Sequence, residues 1–172
     1  MVSDAEKIDE IGEKYGGSAI EGGRNRNQSI GNALNYISAH FSCGKLILVD
    51  AVCPLVRVDL FDQYYRYFDE YDVVFTAGDV MTGLARKDGK SANWRKFFLI
   101  EFPDGYRFDR LKKYFNVDFP YTTPLHMLPR EANVKFNYDF KDYMKVMYPH
   151  DLAVAEALLK ERERHIKFET HL

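Results

Sequence analysis

The chain is 172 residues long and 46% apolar, with 24 Lys and Arg against 26 Asp and Glu for a formal charge of −2. That length supports one hydrophobic core and one domain over residues 1–172, and the near-neutral balance leaves no basic field for a nucleic-acid backbone or an anionic membrane. No apolar run reaches the length of a bilayer span, the start MVSDAEKIDE is not a signal peptide, and Cys43 and Cys53 form neither a disulfide scaffold nor a paired metal motif, so a cytoplasmic protein is expected.

In chain order, Ser3-Asp4-Ala5-Glu6 reads as a capping box. The helix it opens has Ile8, Ile11 and Tyr15 on one face and ends at Gly16-Gly17. Ser18 to Glu21 has room for a short strand before the Gly22-Gly23 turn. Gln28 to Phe41, with Ile30, Leu34 and Ile37 at three-to-four spacing, predicts a second amphipathic helix. Lys45 to Asp50 is an apolar run closed by a carboxylate, the pattern of a strand buried on both faces of a parallel sheet. Asp59 to Tyr71 predicts a third helix, whose pairs Tyr64-Tyr65 and Tyr67-Phe68 exceed what one core face needs. Asp72 to Ala77 is a further buried strand. Strands alternating with helices define a doubly wound α/β sheet, with ligands beyond the carboxyl ends of its strands, where Asp50 falls.

Val80 to Arg86 and Ser91 to Phe98 flank Lys87-Asp88-Gly89-Lys90, a hairpin signal, and predict a β-arm over about 79–98. Arg107 to Phe115 is a short helix and Asn116 to Arg130, with three prolines, a loop. Asn133 to Asn137 and Tyr143 to Met147 are short strands. Pro149 opens a last helix with Leu152, Ala155, Leu158 and Leu159 as its core face and Lys160 to Arg164 as its solvated end. His40, His126, His150, His165 and His171 show no metal-ligand spacing.

Three clusters carry candidate chemistry. Glu21 to Ser29 is a glycine turn entering a helix with Arg24, Arg26 and Ser29, which suits an anion or a polar base edge and equally suits a solvated polar turn. In Val49 to Val56, Asp50 follows a strand, where it either holds Mg²⁺ against substrate phosphates or caps the next turn. In Asp142 to Glu156, Lys145 is either a phosphate clamp projecting into a cleft or a surface-strand lysine.

Taken together and in order, these clusters resemble the 2-C-methyl-D-erythritol 4-phosphate cytidylyltransferase family and its relatives acting on ribitol phosphate. The family's Gly-Gly-x-x-Arg-x-x-Ser is matched by Gly22, Gly23, Arg26 and Ser29. His-Asp-Ala-Ala-Arg-Pro is matched in part by Asp50, Ala51 and Pro54. Asn-Ile-Lys-Val-Thr-x-Pro-Glu-Asp-Leu-x-x-Ala-Glu is matched by Lys145, Pro149, Asp151, Leu152, Ala155 and Glu156. Phe102 to Phe108 looks like Thr-Pro-Gln-x-Phe. The chain departs from the pattern where Val49, Cys53 and Phe102 stand for the family's histidine, arginine and threonine, and where Tyr121-Thr122-Thr123-Pro124 replaces an Asp-rich stretch.

The resemblance implies a Rossmann-like nucleotidyltransferase sheet flanked by helices, with the β-arm building a homodimer and with the family's first strand and Gly-rich loop lacking before Met1. It implies transfer of a cytidylyl group from CTP to a polyol or sugar phosphate, with Mg²⁺ and release of pyrophosphate. Gly22, Gly23, Arg26 and Ser29 would line the cytidine pocket, Asp50 and Ala51 would contact ribose and Mg²⁺, and Lys145 and Arg95 would hold the acceptor or α-phosphate. Isoprenoid precursor synthesis and activation of a polyol phosphate for envelope polymers both fit this chemistry. A second function stands beside it, that of a catalytically silent relative serving as a binding or dimerisation module.

Overall fold

The computed structural model describes residues 1–81 and 83–169; Thr82, within the expected arm, and His171 lie outside the described residues. The elements are β1 (Val2–Ser3), α1 (Ile8–Tyr15), β2 (Ile20–Glu21), α2 (Arg26–His40), β3 (Lys45–Leu48) and α3 (Val58–Tyr67). They continue with β4 (Val73–Gly78), β5 (Leu99–Arg107), α4 (Phe108–Tyr114), β6 (Val134–Asn137) and α5 (Pro149–Glu169). The α/β architecture is the expected one. Its strands form a two-stranded sheet, β1-β2, and a four-stranded sheet in the order β3-β5-β4-β6, with β1 parallel to β2 and β4 parallel to β6. The chain divides into two compact units, Met1–Leu46 with Tyr106–Asn133 and Ile47–Gly105 with Val134–Leu172.

In the first unit, α2 buries Ile30 and Leu34 at the four-residue spacing that keeps one helical face inward. Gly31 lies on the same face, where a Cβ would come within 2.8 Å of Val117 Cγ1, so the segment after α4 runs close over this helix. Phe108 and Leu111 are the buried side of α4. Ser3 is not a cap: it belongs to β1, and its carbonyl accepts from Gly22 N at 2.8 Å. Pairing with β2 takes precedence there, the chain enters α1 through a 3-10 turn, and Asp4 makes no side-chain capping bond. Tyr15, expected on the inner face of α1, is exposed.

The second unit is built on β4, all six of whose residues are buried. Leu60, Tyr64 and Phe68 reach inward at successive four-residue steps along and just past α3, packing with Val74 and Phe140. Tyr65, on the opposite side, faces solvent. Burial pushes the Tyr64 hydroxyl well above its usual pKa, and the hydroxyl finds Thr76 Oγ1 at 2.5 Å and the Pro103 carbonyl at 3.3 Å. Thr76 donates to the same carbonyl at 2.8 Å, so a buried polar network ties α3, β4 and β5 with its groups bonded.

Several expectations are corrected. β3, expected to be buried on both faces, is half-buried along its whole length because it lies at the end of the sheet order. Among its described residues the arm shows one antiparallel bridge, Ala85 with Ser91, around Gly89 in the left-handed region at φ 75°. Its residues are almost all exposed, and a two-stranded ribbon with nothing packed on it is marginal. Tyr143 to Met147 forms no strand; its ladder-like bond is Val146 N to the Val52 carbonyl at 2.8 Å. In α5 the buried line is Ala155 with half-buried Leu159, whereas Leu152 and Leu158 are exposed. Nor is the Lys160 to Arg164 stretch wholly solvated, since Arg162 donates to the Leu55 carbonyl at 3.0 Å and to Asp142 Oδ2 at 3.1 Å.

Candidate functional site

In the first unit the candidate residues form one tightly knit loop between β2 and α2. Asn25 is the N-cap, its Oδ1 accepting from Gln28 N at 2.9 Å, so the helix begins at Arg26, two residues before the sequence reading placed it. Ser29 Oγ accepts from Gly23 N at 2.9 Å and donates to the Asn25 carbonyl at 3.1 Å, and Gln28 Oε1 accepts from Arg24 N at 2.9 Å. Gly22 N binds the Ser3 carbonyl. Gly23 packs directly on the first turn of α2, where a Cβ would lie 2.9 Å from the Gln28 carbonyl carbon and 3.0 Å from Ser29 N. Gly22, Gly23, Arg26 and Ser29 are thus brought together, with Ser29 fastening the loop and Arg26 half-buried at the helix start.

Sequence reasoning passed over Asn27, the second residue of that helix. It is 4% exposed, and its Nδ2 donates to the carbonyls of Phe119 at 2.9 Å and Tyr121 at 3.1 Å. The loop after α4 is therefore fixed to the candidate helix by side chain to backbone bonds, for which no hydrophobic periodicity gives a signal. Asn27→Ala, by leaving two carbonyls without their donor, is expected to cost about 1–3 kcal/mol. A lowered melting temperature and faster proteolysis within residues 116–123 check it.

In the second unit Asp50 and Ala51 form the turn after β3. The Asp50 carbonyl accepts from Cys53 N at 3.0 Å, and Oδ1 stands 3.4 Å from Val52 N, so the carboxylate does cap its turn as one of the two readings held. Its capping contact is long, and the carboxylate is half-exposed. Among the described residues, no group of three or more His, Cys, Asp or Glu is placed to hold a metal. A single hard carboxylate fits a magnesium ion that takes its other ligands from substrate phosphates and water.

Lys145 lies next to that turn, because the Val146 to Val52 backbone bond fastens its segment two residues beyond Asp50. Tyr143 fits over the end of β4, its hydroxyl 2.8 Å from where a Cβ on Gly78 would stand. Lys145 Nζ is 4.0 Å from Glu101 Oε2 and 5.1 Å from the centre of the Phe102 ring. Asp151 accepts from Met147 N and Tyr148 N at 2.9 and 2.8 Å, and these bonds hold its carboxyl below the usual range at the start of α5. Asp50, Ala51 and Lys145 are therefore on adjacent segments. Arg95 is elsewhere in this unit, in a 3-10 turn where Asn93 Oδ1 caps its amide at 3.2 Å and its guanidinium lies 5.6 Å from the Trp94 ring centre. The turn borders an open depression of about 810 Å³ with Met81, Phe98 and Tyr138.

β5, missing from the sequence reading, places Glu101 and Phe102 against Lys145. Phe102-Pro103-Asp104-Gly105 gives no strand signal, because proline lacks an amide donor and Asp and Gly are poor strand formers. In the folded chain the Pro103 carbonyl serves the Tyr64 and Thr76 hydroxyls instead. The peptide bond before Pro103 is cis.

These elements define an α/β fold that several solved structures share. Among solved structures, the 4-diphosphocytidyl-2C-methyl-D-erythritol synthase of Anaerococcus prevotii is similar at TM-score 0.76 and 19% identity, over 91% of this chain and 77% of that one. The 2-C-methyl-D-erythritol 4-phosphate cytidylyltransferase of Thermus thermophilus is similar at 0.71 and 19%, over 84% and 74%. The Francisella tularensis 2-C-methyl-D-erythritol 4-phosphate cytidylyltransferase follows at 0.65 and 21%, over 81% and 71%. The chain shares the fold of these proteins. No protein-family model and no curated protein sequence matches it.

Proposed function

We propose that the chain is a cytidylyltransferase-type enzyme that moves a cytidylyl group from CTP to a polyol or sugar phosphate and releases pyrophosphate. The observation that carries the reading is the fold itself. Two of the three solved structures above are named cytidylyltransferases and the third a 4-diphosphocytidyl-2C-methyl-D-erythritol synthase, and the motif segments that resemble that family fall in the turn after β2 and the start of α2, in the turn after β3, and in the segment before α5 with its first turns. Gly22, Gly23, Arg26 and Ser29 are assigned to the cytidine, and Asp50 and Ala51 to the ribose and Mg²⁺. Lys145 and Arg95 are assigned to the acceptor or α-phosphate. Bound at Asp50, the ion supplies neutralisation of phosphate charge. The protein residues orient the acceptor phosphate in line with the α-phosphorus and offset the charge that develops there. The segment 79–98, with Met81, Trp94 and Phe97 exposed, is assigned to a homodimer contact.

A second reading, a silent relative that binds without turnover, is favoured by one feature. Cys53 is buried and apolar where the family pattern has an arginine, and Phe102 stands where it has a threonine, so two polar groups are missing beside Asp50 and Lys145. The test is thermal stabilisation by CTP, UTP, ATP and GTP, each with Mg²⁺, since a ligand of the native state raises the melting temperature by mass action. A shift with CTP alone is expected, reduced in Lys145→Met, and equal or absent shifts with all four nucleotides would sink the proposal. Pyrophosphate release across polyol phosphates then separates the enzyme from the silent binder.

A further inference from the structure

Lys145 is held in an unusual way for a phosphate ligand. Its ammonium lies 4.0 Å from Glu101 Oε2, beyond hydrogen-bond length, and over the face of Phe102 at 5.1 Å. The carboxylate belongs to β5 and its side chain is 16% exposed, whereas the lysine side chain is 38% exposed and reaches it from an irregular segment anchored at Val146. One partner is thus fixed in the sheet and the other sits on a flexible stem. A pair set by charge and a ring face, with no direct hydrogen bond, is readily released when a stronger anion arrives.

We propose that Glu101 is a positioning residue, a latch that parks the Lys145 ammonium over Phe102 until an anionic phosphate group displaces it. The inference rests on the reading of Lys145 as a phosphate clamp and adds a competitor inside the protein. A phosphate dianion offers more charge and better hydrogen-bond geometry than a carboxylate 4.0 Å away, so the lysine transfers to it. Glu101 is then left half-buried beside an aromatic ring without its counter-charge. Burial already holds its carboxyl above the usual range, and the charge of Lys145 pulls it back down. Removing the lysine lets the pKa rise further, and the carboxyl takes up a proton. Phosphate binding is therefore linked to proton uptake at Glu101, and its affinity falls as pH rises through the carboxyl's pKa in the complex. The latch also keeps the clamp from being a permanent free cation that collects any anion.

The test is calorimetric titration of inorganic pyrophosphate into the wild-type chain, Glu101→Gln and Lys145→Met, repeated in buffers of different ionisation enthalpy. Glutamine keeps the shape and loses the charge, and the folded state of each variant is checked by its melting temperature. The latch predicts that Glu101→Gln binds pyrophosphate about two- to fivefold tighter, the range of a partly exposed ion pair. It predicts that this advantage shrinks at lower pH, where the wild-type carboxyl is already protonated. It also predicts that the wild type takes up more protons on binding than the glutamine variant, a difference that a purely structural pair would not produce. Unchanged or weaker binding by Glu101→Gln, with Lys145→Met impaired, overturns the latch and leaves the clamp standing. Wild-type affinity in Lys145→Met, or no binding by the wild type, removes the clamp and the latch with it. If Glu101→Gln fails to fold, equal proton uptake by the wild type and by Lys145→Met on binding overturns it as well.

Discussion

Phe75→Ala is expected to remove about 3–5 kcal/mol of stability, the usual loss for emptying a buried phenylalanine site. The ring is fully buried in β4, opposite Phe136 in the parallel register with β6 at a centroid distance of 6.4 Å. Phe136 in turn meets Phe98 edge-on at 4.8 Å. Deleting Phe75 therefore leaves a void beside the Phe136 ring, which is carried on β6 and cannot close on it without moving that strand. Against a total of about 5–15 kcal/mol for a domain, this is a fifth or more of the whole. Phe75→Leu keeps most of the volume and is expected to lose less than about 1.5 kcal/mol. Val58→Ala, at an exposed side chain at the start of α3, should change stability by less than about 0.5 kcal/mol. Urea unfolding followed by circular dichroism, with slopes compared between variants, orders the three. A loss below about 1 kcal/mol in Phe75→Ala would mean that the strand is not packed as described.

β4 and the helices α2, α3 and α4 follow from local chemistry, continuous apolar runs and four-residue spacing, whereas the Asn25 cap that starts α2 two residues earlier did not show. What else failed to show depends on partners distant in the chain. β5 contains proline, aspartate and glycine in a row, and only the hydroxyls of Tyr64 and Thr76, brought by other elements, give the Pro103 carbonyl its bonds. The arm carries the strongest local hairpin signal in the chain, yet its described residues, almost all exposed, form one bridge. Among site residues, Gly23 and Asp50 were visible because they sit in turns next to regular elements. Asn27 and Glu101 were not, since one is defined by backbone carbonyls more than ninety residues away and the other by a strand that pattern could not find.

Gly23→Ala is expected to abolish stabilisation by CTP while leaving the fold standing, and the reason is steric. At this position a methyl group falls on Gln28 Cβ and within 2.9–3.0 Å of backbone atoms of Gln28 and Ser29, which belong to the first turn of α2 and cannot rotate away. The loop must therefore shift outward, breaking the bond from Gly23 N to Ser29 Oγ and the one from Arg24 N to Gln28 Oε1. Overpacking of this kind costs about 1–3 kcal/mol. For a chain of this size each kcal/mol corresponds to roughly 2–4 °C in melting temperature. The loop is exposed and the buried residues of the unit lie elsewhere, so the melting transition should stay cooperative. Gly22→Ala is the matched control: its Cβ would stand 3.3 Å from Ser29 Oγ and 3.4 Å from the Ser3 carbonyl, contacts that a few tenths of an ångström relieve. It should therefore keep part of the CTP shift. If Gly23→Ala retains the full shift, the loop does not read the nucleotide, and the assignment of Gly22, Gly23, Arg26 and Ser29 to the cytidine falls even if the chain still binds phosphate through Lys145.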